Sequence, residues 1–197
     1  MKVAAVVVAA GRGLRAGGNV PKQYRRILGE PVIRPSLAAF AGHRGVAAVQ
    51  PVIHGDDAAL FQAAVEGLDL LPWVHGGASR QASVRAGLQA LERHRPELVL
   101  VHDAARPFAS EGLITRAIVA AGASGAAVPV VAVADTVKTV DATGSVTGTL
   151  DRTHLRMVQT PQAFAFAALL DAHLRAAAAG RSVLRCARKA VGHERPR

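Results

Sequence analysis

The chain has 197 residues, half of them hydrophobic, one cysteine and a formal net charge of +10. That length suits a single domain with a substantial core, the apolar content excludes a disordered chain, and a lone Cys186 excludes an internal disulfide. No apolar run reaches the ~20 residues that a bilayer span requires, and no basic stripe with interleaved aromatics marks a nucleic-acid surface.

The first predicted element is Val3–Ala9, continuously apolar and β-branched, as a strand covered on both faces should be. It superficially resembles a secretion signal. It runs, however, straight into Gly11-Arg12-Gly13-Leu14-Arg15, a charged loop that cleavage would destroy, so a cytoplasmic protein is expected. Glycines directly after a strand let the backbone approach a polyanion and turn N–H groups toward phosphate oxygens. Arg15 and Lys22, the latter in Pro21-Lys22-Gln23-Tyr24, add full positive charges just beyond the turn.

Three readings of this loop compete. A P-loop is excluded because no Gly-Lys-Ser/Thr follows the glycines. A dinucleotide fingerprint fits in letters, Gly11-x-Gly13-x-x-Ala16, but Ala16-Gly17-Gly18-Asn19-Val20-Pro21 cannot open a helix. Glu30, at about the distance of the ribose-binding acid, sits in a Gly29-Glu30-Pro31 turn. A nucleotidyltransferase loop, in which a basic segment wraps a triphosphate, is left beside a plain Gly-rich turn with stray basic residues.

Further predicted strands are Val46–Ile53, Leu98–Val101 and Ala126–Val133, alternating with helices over Ser79–His94, Glu111–Ala121 and Ala163–Ala179. Val84, Leu88 and Leu91 give the first helix one apolar face, and Gly180 ends the last. This alternation predicts an α/β domain, three layers around a mainly parallel sheet. Thr136–Gln159 breaks it. Val137, Val140, Val146, Leu150 and Val158, with a turn at Asp141-Ala142-Thr143-Gly144, read as a protruding β-arm over 136–160 that packs on a second copy. Residues 1–180 therefore form one domain, and 181–197 a basic tail with six cationic residues against Glu194, half the net charge. The body's remaining positive charge suits a nucleotide; a bias toward Arg codons accounts for it equally well.

Taken together, the segments Ala9-Ala10-Gly11-x-Gly13, Pro21-Lys22-Gln23-Tyr24, Gly76-Gly77-Ala78-Ser79-Arg80-Gln81-Ala82-Ser83, Val101-His102-Asp103-Ala104-Ala105-Arg106-Pro107 and Gln159-Thr160-Pro161-Gln162 resemble, in order, the 2-C-methyl-D-erythritol 4-phosphate cytidylyltransferases. The resemblance covers residues 3 to about 175. It implies a Rossmann-like nucleotidyltransferase sheet and transfer of CMP from CTP to the polyol phosphate, with Mg²⁺ as cofactor and pyrophosphate as leaving group. It implies that Arg15 and Lys22 stabilise charge at the α-phosphate. Ala9, Ala10, Gly11, Gly13, Gly77, Ala78 and Ser83 would bind the nucleotide, with Ser83 on the cytosine edge. Asp103 and Arg106 would hold the polyol hydroxyls, Asp103 also approaching the metal. Thr136, Arg152 and Thr160 would complete the polyol-phosphate site, Thr136 and Arg152 serving the partner of a homodimer. His102, beside an apolar strand, is expected to be a hydrogen-bonded packing residue and not a base.

The resemblance has gaps. Val8 stands where the family often has Pro, and Ala78 where it often has an acidic residue. After Gly180 the family's acidic segment, further helix and strand, and Asp/Lys-bearing motif have no counterpart; Lys189 has no such motif around it. The abrupt basic shift reads as a changed reading frame, its rival being a natural tail for nucleic acid or membrane. Loss of that cation and metal ligand would remove ~3–5 kcal/mol of transition-state stabilisation. The alternatives are thus a cytidylyltransferase for another polyol phosphate, such as ribitol 5-phosphate, or a non-catalytic nucleotide-binding remnant.

Overall fold

A computed structural model describes residues 1–11 and 20–181. In chain order its elements are β1 (Val3–Ala9), a short hairpin of β2 (Arg26–Ile27) and β3 (Glu30–Pro31), α1 (Ile33–Ala41), β4 (Ala48–Ile53), α2 (Ala58–Ala64), β5 (Val74–His75), α3 (Arg80–Leu91), β6 (Leu98–Asp103) and α4 (Glu111–Ser124). There follow β7 (Ala126–Ala127), β8 (Val130–Ala132), β9 (Val137–Val140), β10 (Val146–Leu150), β11 (Arg156–Val158), β12 (Gln162–Ala165) and α5 (Phe166–Ala178).

Six strands form the central sheet in the order β5-β4-β1-β6-β12-β7. β5, β4, β1 and β6 run parallel, whereas β12 is antiparallel to both its neighbours. Because side chains alternate across a strand, β1 feeds two cores at once. Val3, Ala5, Val7 and Ala9 face the layer holding α1 and α4, while Ala4 and Val6 face α3 and α5. A strand buried on both sides has no polar alternation, which is why its sequence is one apolar run.

The helices show how each layer is secured. α1 places Ile33, Leu37 and Phe40 at i, i+4 and i+7, all fully buried. Its Pro35 sits in the first turn, where a missing N–H costs little. α3 starts on Ser79, whose hydroxyl accepts from Ala82 N–H, and lies close against the sheet through Gly87. A Cβ at Gly87 would stand 2.5 Å from Val6 Cγ1 and 2.8 Å from Val52 Cγ2. α4 is capped by Ser110 and stopped by Gly125 at φ +79°, a conformation glycine adopts without strain.

Two sequence expectations are corrected. The helix expected from Ala163 begins only at Phe166, because Gln162–Ala165 pairs as β12 between β6 and β7. The strand expected over Ala126–Val133 divides into β7 and β8 around Pro129, which has no N–H to give a ladder. The arm expectation holds over Val137–Leu150, where β9 and β10 pair antiparallel. β8 and β11 pair beneath it. The basic tail from 182 onward lies outside the described residues.

Candidate functional site

Three segments meet at the carboxyl ends of the parallel strands, the edge where open α/β sheets take ligands. The first follows β1. Ala9 and Ala10 are buried, whereas Gly11 is exposed with nothing within 4 Å of where a Cβ would stand. The buried Gln23 reaches back to this segment: its Nε2 donates to the carbonyl oxygens of Ala9 at 2.7 Å and Gly11 at 3.1 Å. One amide thus ties down the residues on either side of Ala10. Lys22 precedes Gln23 and is exposed, and Tyr24 follows it into the core. Burial, with Asp57 nearby, pushes the Tyr24 phenol well above its usual pKa, so it stays neutral. Gly13 and Arg15 lie outside the described residues.

The second segment joins β5 to α3. Gly76 donates its N–H to Ile53 O at 2.8 Å and packs on the first segment. A Cβ at Gly76 would stand 2.2 Å from Ala10 Cβ, and one at Gly77 would stand 2.4 Å from Ala82 Cβ. Only glycines permit that approach. Ser83 is buried, and its hydroxyl accepts from Gly77 N–H at 3.1 Å while donating to Ser79 O at 3.0 Å. Ser83 therefore shapes the turn from beneath. Gly77 and Ala78 form the turn's exposed surface, ahead of the α3 N-terminus, whose helix dipole favours anionic ligands.

The third segment follows β6. Asp103 is a hub: Arg80 Nε approaches Oδ1 at 2.8 Å, and Arg106 Nε approaches Oδ2 at 3.6 Å. Arg106 also donates to Gln159 Oε1. The turn behind them is braced, with Ser36 Oγ donating to Ala104 O at 2.8 Å and Ala104 N–H donating to Val8 O at 3.0 Å. Beneath it His102 is buried and bonded through both ring nitrogens, as packing required. Its pKa lies below the usual imidazole value, chiefly through burial.

A family model for IspD, 2-C-methyl-D-erythritol 4-phosphate cytidylyltransferase, matches residues 3–187. The chain belongs to this family. It is 62% identical over 180 residues to a Rhodopseudomonas palustris protein named bifunctional enzyme IspD/IspF, covering 91% of this chain and 45% of that protein. The chain therefore spans about half the length of the curated relatives it matches. Among solved structures, 4-diphosphocytidyl-2C-methyl-D-erythritol synthase from Anaerococcus prevotii superposes with a TM-score of 0.82 at 29% identity, covering 98% of this chain and 86% of that one. The 2-C-methyl-D-erythritol 4-phosphate cytidylyltransferase of Thermus thermophilus superposes with a TM-score of 0.73 at 34% identity, covering 99% and 90%. These matches bear out the fold class expected from the sequence.

Within this IspD fold Lys22 stands exposed beside the buried Gln23, and the other described site residues fall into two groups. Ala9, Ala10, Gly11, Gly77, Ala78, Ser83, Asp103, Arg106 and Thr160 stand on the three segments or directly against them. Thr136 and Arg152 instead stand on the arm, Thr136 exposed ahead of β9 and Arg152 donating to Ala134 O. Gln23, Gly76 and Arg80 carry no role that the sequence alone reveals, although all three lie inside the motifs that carry the resemblance. Arg80 had one local signal, its place directly after the capping Ser79. Gln23 had none, because a buried amide reads like any surface glutamine until the fold closes over it.

The described residues do not form a metal centre of their own. Among them no group of three or more His, Cys, Asp or Glu side chains converges. Both oxygens of Asp103 face guanidinium groups, an arrangement that supplies the carboxylate with positive charge already.

Proposed function

We propose that this chain transfers CMP from CTP to 2-C-methyl-D-erythritol 4-phosphate, releasing pyrophosphate, as a step of isoprenoid synthesis. The observation that carries this reading is the contact between the segment after β1 and the turn before α3. Ala10 and Gly76 pack so closely that a loop suited to phosphates and a turn suited to a base form one continuous surface. A nucleoside triphosphate is the ligand that needs both.

In the proposed reaction, an oxygen of the acceptor's phosphate attacks the α-phosphorus of CTP. The bond to the bridging oxygen breaks, and its electron pair leaves on pyrophosphate. Both reactants are anions, so the obstacles are repulsion and the charge gathering on the α-phosphate oxygens. Fixed cations and in-line placement answer these better than acid–base groups would. Lys22 and Arg15 are assigned that charge. Ala9, Ala10, Gly11 and Gly13 offer backbone groups to the phosphates, and Gly77, Ala78 and Ser83 make the base turn. Asp103 and Arg106 take the polyol hydroxyls, with Thr160 beside them. The accompanying ion is assigned as Mg²⁺, which needs few protein carboxylates; Asp103 is the site carboxylate that would hold it, and the ion would offset charge on the phosphates. Ligation by Asp103 would compete with its two guanidinium partners for the carboxylate's charge.

The arm supports a homodimer in which Thr136 and Arg152 serve the partner's site. Val140 and Val146, a cross-strand pair on the arm, are 58% and 63% exposed, and Leu150 is exposed on the same ribbon. Exposed apolar side chains on a two-stranded ribbon call for a covering partner. Among the described residues no helix is long and apolar enough to cross a membrane. A cytoplasmic location is proposed from the single cysteine.

The deciding experiment is pyrophosphate release by this chain from CTP, Mg²⁺ and the polyol phosphate. Release that needs both substrates and is lost in Lys22→Ala supports the reading; CTP binding without release points to a nucleotide-binding remnant. Ribitol 5-phosphate in parallel identifies the acceptor. Mixing Lys22→Ala with Arg152→Ala subunits tests the shared site. Exchange should restore about a quarter of wild-type activity, because half the dimers are mixed and each carries one intact site. No recovery after demonstrated exchange would place the arm on its own subunit's site.

A further inference from the structure

His102 joins two functional segments through opposite sides of one ring. Its Nε2 lies 3.0 Å from the carbonyl oxygen of Arg106, and its Nδ1 lies 3.0 Å from Thr160 Oγ1. The ring is buried and packs against Phe40, with centroids 4.9 Å apart. A carbonyl oxygen only accepts, so Nε2 must carry the proton. In the neutral ring Nδ1 is then an acceptor, and the Thr160 hydroxyl must donate to it. Thr160 Oγ1 also receives the Asp103 N–H at 3.4 Å. Its single hydrogen is spent on the histidine, and what remains for a ligand is a lone pair.

We propose that His102 is a positioning residue that fixes Thr160 as a hydrogen-bond acceptor, so that this position receives a hydroxyl of the polyol and not a phosphate oxygen. An ionised phosphate oxygen has no hydrogen to offer and would meet the lone pair with repulsion. A polyol hydroxyl donates, and the neighbouring Arg106 supplies the donor such a hydroxyl can accept from. The same ring holds the Arg106 carbonyl, so the orientation of the acceptor hydroxyl and the turn carrying Arg106 are set together. The low pKa of the buried ring agrees with a neutral tautomer. This inference rests on the transferase reading above.

Two measurements test it. The first is the ¹⁵N chemical shifts of the His102 imidazole in the wild-type chain, assigned by loss of the signals in whichever of His102→Gln and His102→Asn folds. Protonated Nε2 with bare Nδ1 upholds the proposal, since the tautomer alone decides where the Thr160 hydrogen points. Protonated Nδ1 overturns it. The second compares His102→Gln, whose amide can still donate to Arg106 O, with His102→Asn, whose Oδ1 can still accept from Thr160. Losing one hydrogen bond of ordinary strength should raise the KM for the polyol phosphate about tenfold in the Gln variant and leave the KM for CTP within about twofold. The Asn variant should stay nearer wild type in polyol KM. Equal rises in both KM values, or a polyol KM worse in Asn than in Gln, overturn the positioning role. If the wild type releases no pyrophosphate, the activity reading fails by itself and the nitrogen shifts still decide this one; they also decide it if either variant fails to fold.

Discussion

Gln23 and Ala9 are fourteen residues apart in sequence, yet the Gln23 amide nitrogen lies 2.7 Å from the Ala9 carbonyl oxygen in a buried contact. With the second bond to Gly11 O at 3.1 Å, it sets the backbone that the proposed triphosphate site depends on. Gln23→Glu replaces two donor hydrogens with a carboxylate facing two carbonyls. The expected cost is about 1–3 kcal/mol, felt as CTP binding weakened about 10- to 100-fold. Calorimetric titration with CTP checks it, with urea unfolding alongside. Unchanged CTP affinity would show that the loop does not need this tether.

Gly76 and Gly11 should respond to alanine in opposite ways. At Gly76 a Cβ would collide with Ala10 Cβ at 2.2 Å, so Gly76→Ala should displace one segment at a cost of about 1–3 kcal/mol. At Gly11 a Cβ meets nothing within 4 Å, so Gly11→Ala should leave stability within about 0.5 kcal/mol. Gly11→Ala should nevertheless weaken CTP binding, by holding phosphates off the backbone. Urea midpoints and CTP titrations of the two variants separate the outcomes. Equal loss of stability in both would contradict the packing described for the cleft.

Lys22 is exposed and ahead of the buried Gln23-Tyr24 pair, so its removal should not disturb the fold. Lys22→Ala is expected to keep its melting temperature and lose about 10²–10³ in kcat, the range seen when one charge-stabilising group is removed. Steady-state pyrophosphate release with a thermal melt checks both halves. A loss confined to stability would remove Lys22 from the chemistry.

Burial lowers the pKa values of His102 and His173, with Arg80 and Arg85 adding to the effect at His173. In the unfolded chain both titrate near the ordinary value of about 6.5, so the unfolded state takes up protons first as pH falls. Their contribution to stability is therefore full above about pH 6.5 and is lost on acidification toward the lowered folded-state values. Urea midpoints at about pH 7.5 and 5.5 should show the fall, and His173→Gln should flatten it in part. An unaltered slope in that variant would mean His173 is not held neutral by the fold.

Much of this protein could be read before any fold was known. The continuous apolar run of β1, the capped apolar face of α3 and the arm with its Asp141–Gly144 turn each declare themselves locally. So do the loop glycines and the order of the family motifs. Helix α1 is masked in the sequence by Pro31 just before it and Pro35 within it, although its first-turn proline is harmless and Ile33, Leu37 and Phe40 carry the period. The short α2 has no sequence signature of its own, because seven residues hold too few turns for a period to show.

What the sequence alone determined was therefore whatever depends on neighbours along the chain: strand character, caps, turns and the chemical types grouped in each motif. Only the tertiary structure decided which of those groups act on each other. It made Gln162–Ala165 a strand, because β6 and β7 offered it two ladders and an apolar Ala-Phe alternation cannot choose by itself. It turned Ser83 inward to hold Gly77, gave Asp103 two arginines, and aimed Gln23 and His102 at backbone carbonyls and a threonine. The direction of a hydrogen bond depends on which groups burial brings within 3 Å, and residues fourteen or fifty-eight positions apart carry no local trace of that.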